Sequence, residues 1–167
     1  MHHVHNLASA GLAIASRGAT LASMKSMAGP VERRVDPEDS PNLRVVMEAF
    51  ERLDEHGVEA AVEHLLDHAH SDVEFYPYMG AGKVLRGPDE VRAFYRSQLE
   101  MGTSLVARPS GFEDCGDEVL VNGSLRVVQP TGGFAESQLS WTYRFRDGRL
   151  QEVRGGPRRP AVAAAPS

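Results

Sequence analysis

Between Ser104 and Gly156 the chain alternates β-branched and aromatic runs with three turn signals: Cys115-Gly116-Asp117, Pro130-Thr131-Gly132-Gly133 and Asp147-Gly148. Asp-Gly between alternating apolar segments is a strong hairpin signal, because both central residues of a type I′ turn need positive φ. Four strands joined in this way make an antiparallel meander. Every helical pattern lies before it. Helices followed by such a sheet imply an α+β domain with the helices over one sheet face, and a hollow enclosed there is where a function would reside.

The helical part is punctuated clearly. Ser40-Pro41 reads as an N-cap with proline at the first helical position. Leu43, Val46, Met47, Phe50 and Leu53 then recur on one face, and Gly57 ends the run. A second helix carries Val58, Ala61, Val62, Leu65, Leu66 and Ala69. An extended run follows from Asp72, with Val73, Phe75 and Tyr76, and Pro77 stops it. Met79 to Lys83, with two glycines, reads as a loop. Gly87-Pro88-Asp89-Glu90 opens a third helix whose acids complement its positive end. Its apolar face is Val91, Phe94, Tyr95 and Leu99, and Gly102 closes it.

Composition narrows the class. A chain of 167 residues suits one domain with a proper core, and 41% apolar with 25% charged residues is the balance of a globular protein. A net charge of −5 gives no basic footprint for nucleic acid. No apolar segment approaches the roughly 20 residues that cross a bilayer, so no membrane partner is expected. Cys115 is the single cysteine, which excludes a disulfide framework and fits a reducing cytoplasm.

Residues 1–39 are rich in Ala, Ser, Gly and Met, contain His2, His3 and His5, and have no acid before Glu32. Leu7 to Ile14 is too short and too diluted for a signal peptide. Arg17 and Lys25 in this acid-free stretch also suit a transit peptide, and Met24 and Met27 offer later starts. The reading adopted is a disordered extension, followed by a domain over residues 40–157 and a disordered tail over residues 158–167.

Four local words recur in a telling order: His70-Ser71-Asp72-Val73-Glu74-Phe75; Arg86-Gly87 before a helix with Phe94-Tyr95; Gly116-Asp117-Glu118-Val119; and Trp141-Thr142-Tyr143-Arg144-Phe145-Arg146-Asp147-Gly148-Arg149-Leu150. Together, over about Ser40 to Pro157, they resemble the SnoaL-like branch of the nuclear transport factor 2-like superfamily. The resemblance implies a cone-shaped domain, a strongly curved sheet wrapped around three helices with a cavity between them. It also implies a homodimer in many members. It does not fix function, because the superfold hosts isomerases, hydrolases, cyclases, dehydratases and non-catalytic binders.

The resemblance supplies catalytic templates that can be compared residue by residue. Ketosteroid-isomerase-like members use an aspartate just before a proline in the first strand, a tyrosine from the first helix and a protonated acid from the meander. Here those positions hold Phe75 or Tyr76, Met47 or Phe50, and Trp141. All three roles are unfilled, so isomerase chemistry by that route is not expected. Epoxide-hydrolase-like and cyclase-like members need an acid in the last strand, but Gly155 and Gly156 follow Arg154.

The remaining polar clusters have bland readings. His64, Asp67, His68, His70 and Asp72 are dense, and His64 and His68 are spaced for one helix face. They read as an outward-facing, titratable helix end rather than a metal site. Glu74, Glu113, Glu136 and Glu152 read as solvated strand carboxylates, and Cys115 has no basic neighbour to activate it. Leu139, Trp141, Tyr143 and Phe145 alternate onto one sheet face, with Gln138, Ser140, Thr142 and Arg144 on the other. Most of that stripe is core, yet wall residues with polar tips suit a pocket.

The ligand-contact candidates are therefore Tyr76, Tyr78, Phe94, Trp141 and Tyr143, with Arg154 as an anion contact. The partner expected is a small hydrophobic molecule. No catalytic residue, cofactor or metal is assigned. Two functions stand side by side: acid–base chemistry on a hydrophobic ring or carbonyl substrate, and non-catalytic dimeric ligand binding or interaction. A pocket carboxylate within hydrogen-bond reach of a tyrosine or histidine separates them.

Overall fold

A computed structural model describes residues 38–80 and 82–158; the expectations for the N-terminal extension and for most of the tail lie outside the described residues. Among the described residues there are three α-helices: α1 (Pro41–His56), α2 (Val58–Asp67) and, after two strands, α3 (Gly87–Glu100). The strands are β1 (Ala69–Tyr76), β2 (Leu85–Arg86), β3 (Ser104–Asp114), β4 (Glu118–Val128), β5 (Phe134–Arg146) and β6 (Arg149–Pro157). They form one six-stranded sheet in the order β2-β1-β6-β5-β4-β3. The meander β3 to β6 is antiparallel, as its turn signals require, and Asp147 and Gly148 both adopt positive φ, 53° and 75°. The α+β fold expected from the sequence is the fold observed.

Local chemistry sets the helix ends. The Ser40 hydroxyl accepts from the Leu43 amide at 3.2 Å, and Pro41 occupies the first helical turn. Gly57 closes α1 and opens α2 at once, its amide donating to the Leu53 carbonyl at 3.1 Å. Its φ of 89° and ψ of 178° lie in a region essentially restricted to glycine. At the start of α3 the Glu90 carboxylate accepts from the Arg86 amide at 2.7 Å.

Strand β1 starts earlier than expected and pairs in a way no hairpin signal announces. It lies parallel to β6, with Ala69 opposite Leu150 and Glu74, Phe75 and Tyr76 opposite Glu152, Val153 and Arg154. Between those anchors the ladder is interrupted, and side chains take the carbonyls it leaves. Arg149 donates to the Ala69 carbonyl at 2.8 Å, and Gln151 to that of Asp72 at 3.3 Å. Gln151 is the extra residue: Phe145 pairs with Leu150 while Arg144 pairs with Glu152. One extra residue flips all that follows to the opposite face. Leu150 and Val153 therefore both point to the core, while Arg154 points away.

A second irregularity bends the far side. The β3–β4 register shifts between Pro109 and Gly111, and at Gly123 the β3 backbone comes so close that a Cβ would lie 2.9 Å from the Pro109 Cα. A side chain there is sterically excluded.

The core lies between the helices and one sheet face. From the helices it takes Leu43, Val46, Phe50, Val62, Leu65 and Val91. From the sheet it takes Val73, Phe75, Val119, Val121, Tyr143 and Phe145. Phe50 is the hub, with edge-on contacts to Phe112, Trp141 and Tyr143 at centroid distances of 5.7, 5.5 and 6.4 Å. Trp141 itself is only half-buried.

His64 departs from its expected outward position. Its side chain is 5% exposed, and its Nε2 lies 3.1 Å from the Val45 carbonyl, crosslinking α2 to α1. The reason is steric: α1 packs across the face of α2 that carries it, so the imidazole replaces solvent with a carbonyl acceptor. Burial holds its pKa below the usual 6.5, with His68 and Arg52 nearby adding to that, while the Val45 contact and Glu48 oppose it. A histidine buried in its neutral form contributes stability above the unfolded pKa, and that stability is lost as pH falls below it. The chemical-denaturation midpoint should therefore drop as pH falls below about 6.5. In His64→Gln the drop should be smaller; an equal drop would show that other groups carry it.

Candidate functional site

Phe50 does not fill the space between the layers, and a cavity of about 120 Å³ remains beside it. Its floor is buried: Phe50, Val62 and Leu65 from the helices, with Phe75, Tyr143 and Val153 from the sheet. Its rim is half-exposed and includes Leu53, Met79, Leu105 and Leu125, together with Tyr78, which is 44% exposed. Phe94 and Tyr95 close one side from α3, stacked edge-on at 5.2 Å, and Trp141 and Gly155 close another. A dry apolar cavity of roughly 150 Å³ admits benzene, so this one matches a single ring-sized group, well short of a fused tetracycle.

The wall holds no carboxylate, imidazole or amine among the described residues; its polar groups are phenols, an indole and the backbone. Tyr95 and Tyr143 are the significant ones. Neither hydroxyl has a hydrogen-bond partner among the described residues, and neither is sealed from open space. Apolar surroundings push the Tyr95 phenol up to about 12. Tyr143 is pushed up further, by burial first and by the neighbouring Tyr95 second. Two protonated phenols side by side can donate to a ligand oxygen, and neither can serve as a base near neutral pH.

Of the sequence candidates, Tyr78, Phe94, Trp141 and Tyr143 lie in this wall. Tyr76 borders it but reaches the outer sheet face, where its hydroxyl donates to Glu74 Oε2 at 2.7 Å. Arg154 is not in the wall at all, because the Gln151 bulge turns it outward. There its guanidinium lies 3.8 Å from the centre of the Tyr76 ring and 3.3 Å from Glu152. Tyr95 was named on the apolar face of its helix but not as a contact; its neighbour Phe94 carried no signal distinguishing the two.

Of the positions set against the isomerase template, Phe50, Phe75, Tyr76 and Trp141 line the cavity and none is an acid, while Met47 is not in its lining. The tyrosine–carboxylate contact that does exist, Tyr76 to Glu74, lies on the outer side. Hydrogen bonds from Tyr76 and then Arg86 hold the Glu74 carboxyl below its ordinary value, the reverse of what a general base near neutral pH needs. The other strand acids are on the surface too, Glu136 with Arg126 and Glu152 between Arg144 and Arg154. Among the described residues no group of three or more His, Cys, Asp or Glu side chains is placed to hold a metal ion. No helix among the described residues is long and apolar enough to cross a membrane.

The unusual phenols give a direct check. In native protein the ultraviolet tyrosine titration curves of wild type and of Tyr95→Phe should coincide up to about pH 11, because Tyr95 stays protonated there. A difference centred near 10 would place its hydroxyl in water.

The sequence profile of the SnoaL-like domain matches residues 46–153, more than half of the chain. No curated protein matches the chain at a significant level. Among solved structures, it is similar to a nuclear transport factor 2-like protein of unknown function from Burkholderia pseudomallei, with 25% identity, 71% of this chain and 92% of that one covered, and a TM-score of 0.60. It is similar to a Δ5-3-ketosteroid isomerase from Mycobacterium sp. at 20% identity, 70% and 92% coverage and a TM-score of 0.56. An M. tuberculosis epoxide hydrolase matches at 15% identity, 72% and 80% coverage and 0.56. The last two likenesses speak to the fold alone. With its domain profile matched over these residues, the chain belongs to the SnoaL-like domain family.

Proposed function

We propose that this protein binds a small cyclic molecule, inserting one apolar ring into the cavity beside Phe50 and meeting a carbonyl-type oxygen with the hydroxyls of Tyr95 and Tyr143. The observation that carries the reading is the pair of protonated phenols without partners at an otherwise apolar wall. An unpaired donor in an apolar site favours a ligand that supplies an acceptor and penalises one that does not. Trp141 and Phe50, edge-on at 5.5 Å, offer the ring its flat contacts. Binding rather than acid–base catalysis is the function favoured, because proton abstraction from carbon needs a base within hydrogen-bond reach and the described wall offers none.

The test pairs two probes of nearly equal shape, para-fluoroacetophenone and para-fluoroethylbenzene, followed by fluorine NMR. The ketone should bind about fivefold more tightly, the worth of roughly one neutral hydrogen bond. In the double variant Tyr95→Phe, Tyr143→Phe that preference should vanish. Equal binding of the two probes by the wild type would remove the phenols from the site, and binding of neither would remove the cavity.

A further inference from the structure

The inner cavity is too small for a whole metabolite-sized ligand, and the space next to it is not. A groove of about 460 Å³ lies on the outer side of the sheet, against the end of β6. It shares Tyr76, Pro77, Tyr78 and Gly155 with the inner cavity. Tyr78 and Gly155 form the sill between them: a Cβ at Gly155 would lie 3.3 Å from the Tyr78 Cβ. The two hollows differ in chemistry. The groove carries two cations, Lys83 and Arg154, and no acid among its described lining.

These cations are available. Lys83 has no carboxylate partner among the described residues, and its ammonium stands 5.8 Å from the centre of the Phe94 ring. Phe94 is a wall residue of the inner cavity, so the charge sits beside that cavity's edge. Arg154 gives one N–H to Glu152, which Arg144 also approaches at 3.6 Å, and stacks its flat face on Tyr76. That stack holds the plane and leaves further N–H donors on its edge. Thr142, 6% exposed, lies in the groove's floor, and its hydroxyl has no partner among the described residues.

We infer that the ligand is an organic acid: its ring enters the inner cavity, and its carboxylate lies in the outer groove between Lys83 and Arg154, with Thr142 as an added donor. This rests on the reading that the cavity takes a ring, and supplies the chemical class that the cavity alone leaves open. A carboxylate in a groove with two cations gains charge-assisted hydrogen bonds that a neutral ester of the same skeleton does not.

The test compares hydrocinnamate with its methyl ester, by calorimetry on the full chain. The acid should bind about tenfold more tightly than the ester, and the advantage should shrink as salt is added. In Lys83→Met and in Arg154→Met the ratio of the two affinities should fall toward one, while Arg126→Met, on the far strands, should keep the wild-type ratio. Melting of each variant checks that the exposed substitutions leave the fold intact. Equal affinity of acid and ester in the wild type, with the ketone probe still bound, overturns the groove assignment and leaves the cavity's. Failure of acid, ester and ketone alike overturns both. An acid preference that survives both cation substitutions would also overturn it.

Discussion

Everything in this domain is arranged around the packing of Phe50 into the inner face of the sheet. One aromatic ring on α1 meets Phe112 on β3 and Trp141 and Tyr143 on β5, so a single side chain ties the first helix to two non-adjacent strands. Burying such a ring contributes about 2–3 kcal/mol before packing geometry is counted. It also leaves a residue of space, because one ring on a straight helix cannot follow a curved sheet across its width. The cavity is that remainder.

The polarity of the remainder is asymmetric. Inside, the wall is mostly hydrocarbon, with the phenols of Tyr78, Tyr95 and Tyr143 and the indole of Trp141 as its polar tips; outside, the sheet carries acids and arginines, with Arg86 paired to Glu74 and a separate chain running Arg154, Glu152, Arg144, Glu118. Exposed pairs of this kind contribute little to stability. Their structural effect is to hold the outer strand carboxylates against arginines on the outer face of the sheet.

Much of the fold was legible because its signals are local. Asp147-Gly148 demanded a tight hairpin, Ser40-Pro41 a helix start, and the alternation Leu139, Trp141, Tyr143, Phe145 a single sheet face. What escaped depends on contacts distant in sequence. The parallel pairing of β1 with β6 has no turn to announce it, and the two-residue β2 is too short for any periodicity. His64 was misplaced because helical spacing says which residues share a face but not that α1 would cover that face. Arg154 was named as an anion contact, and the one-residue bulge at Gln151 that turns it to the outer face has no signal in the sequence. Tyr95 was visible as apolar pattern, and only its unpaired hydroxyl in three dimensions marks it out.

The position of β6 in the sheet has a consequence for how the protein is made. The last of the described strands lies in the interior of the sheet, between β1 and β5, and among the described strands β1 reaches the meander solely by pairing along it. Until Arg149 to Pro157 leaves the ribosome, the three helices and two leading strands have no ladder to join. The inner face built from Val73, Phe75 and Val119 stays uncovered on one side. Ladder closure between residues some eighty positions apart is slow relative to helix formation. Folding of this domain is thereby deferred until β6 has been made, and a chain shortened before β6 presents two unpaired edges, an invitation to strand exchange between nascent copies.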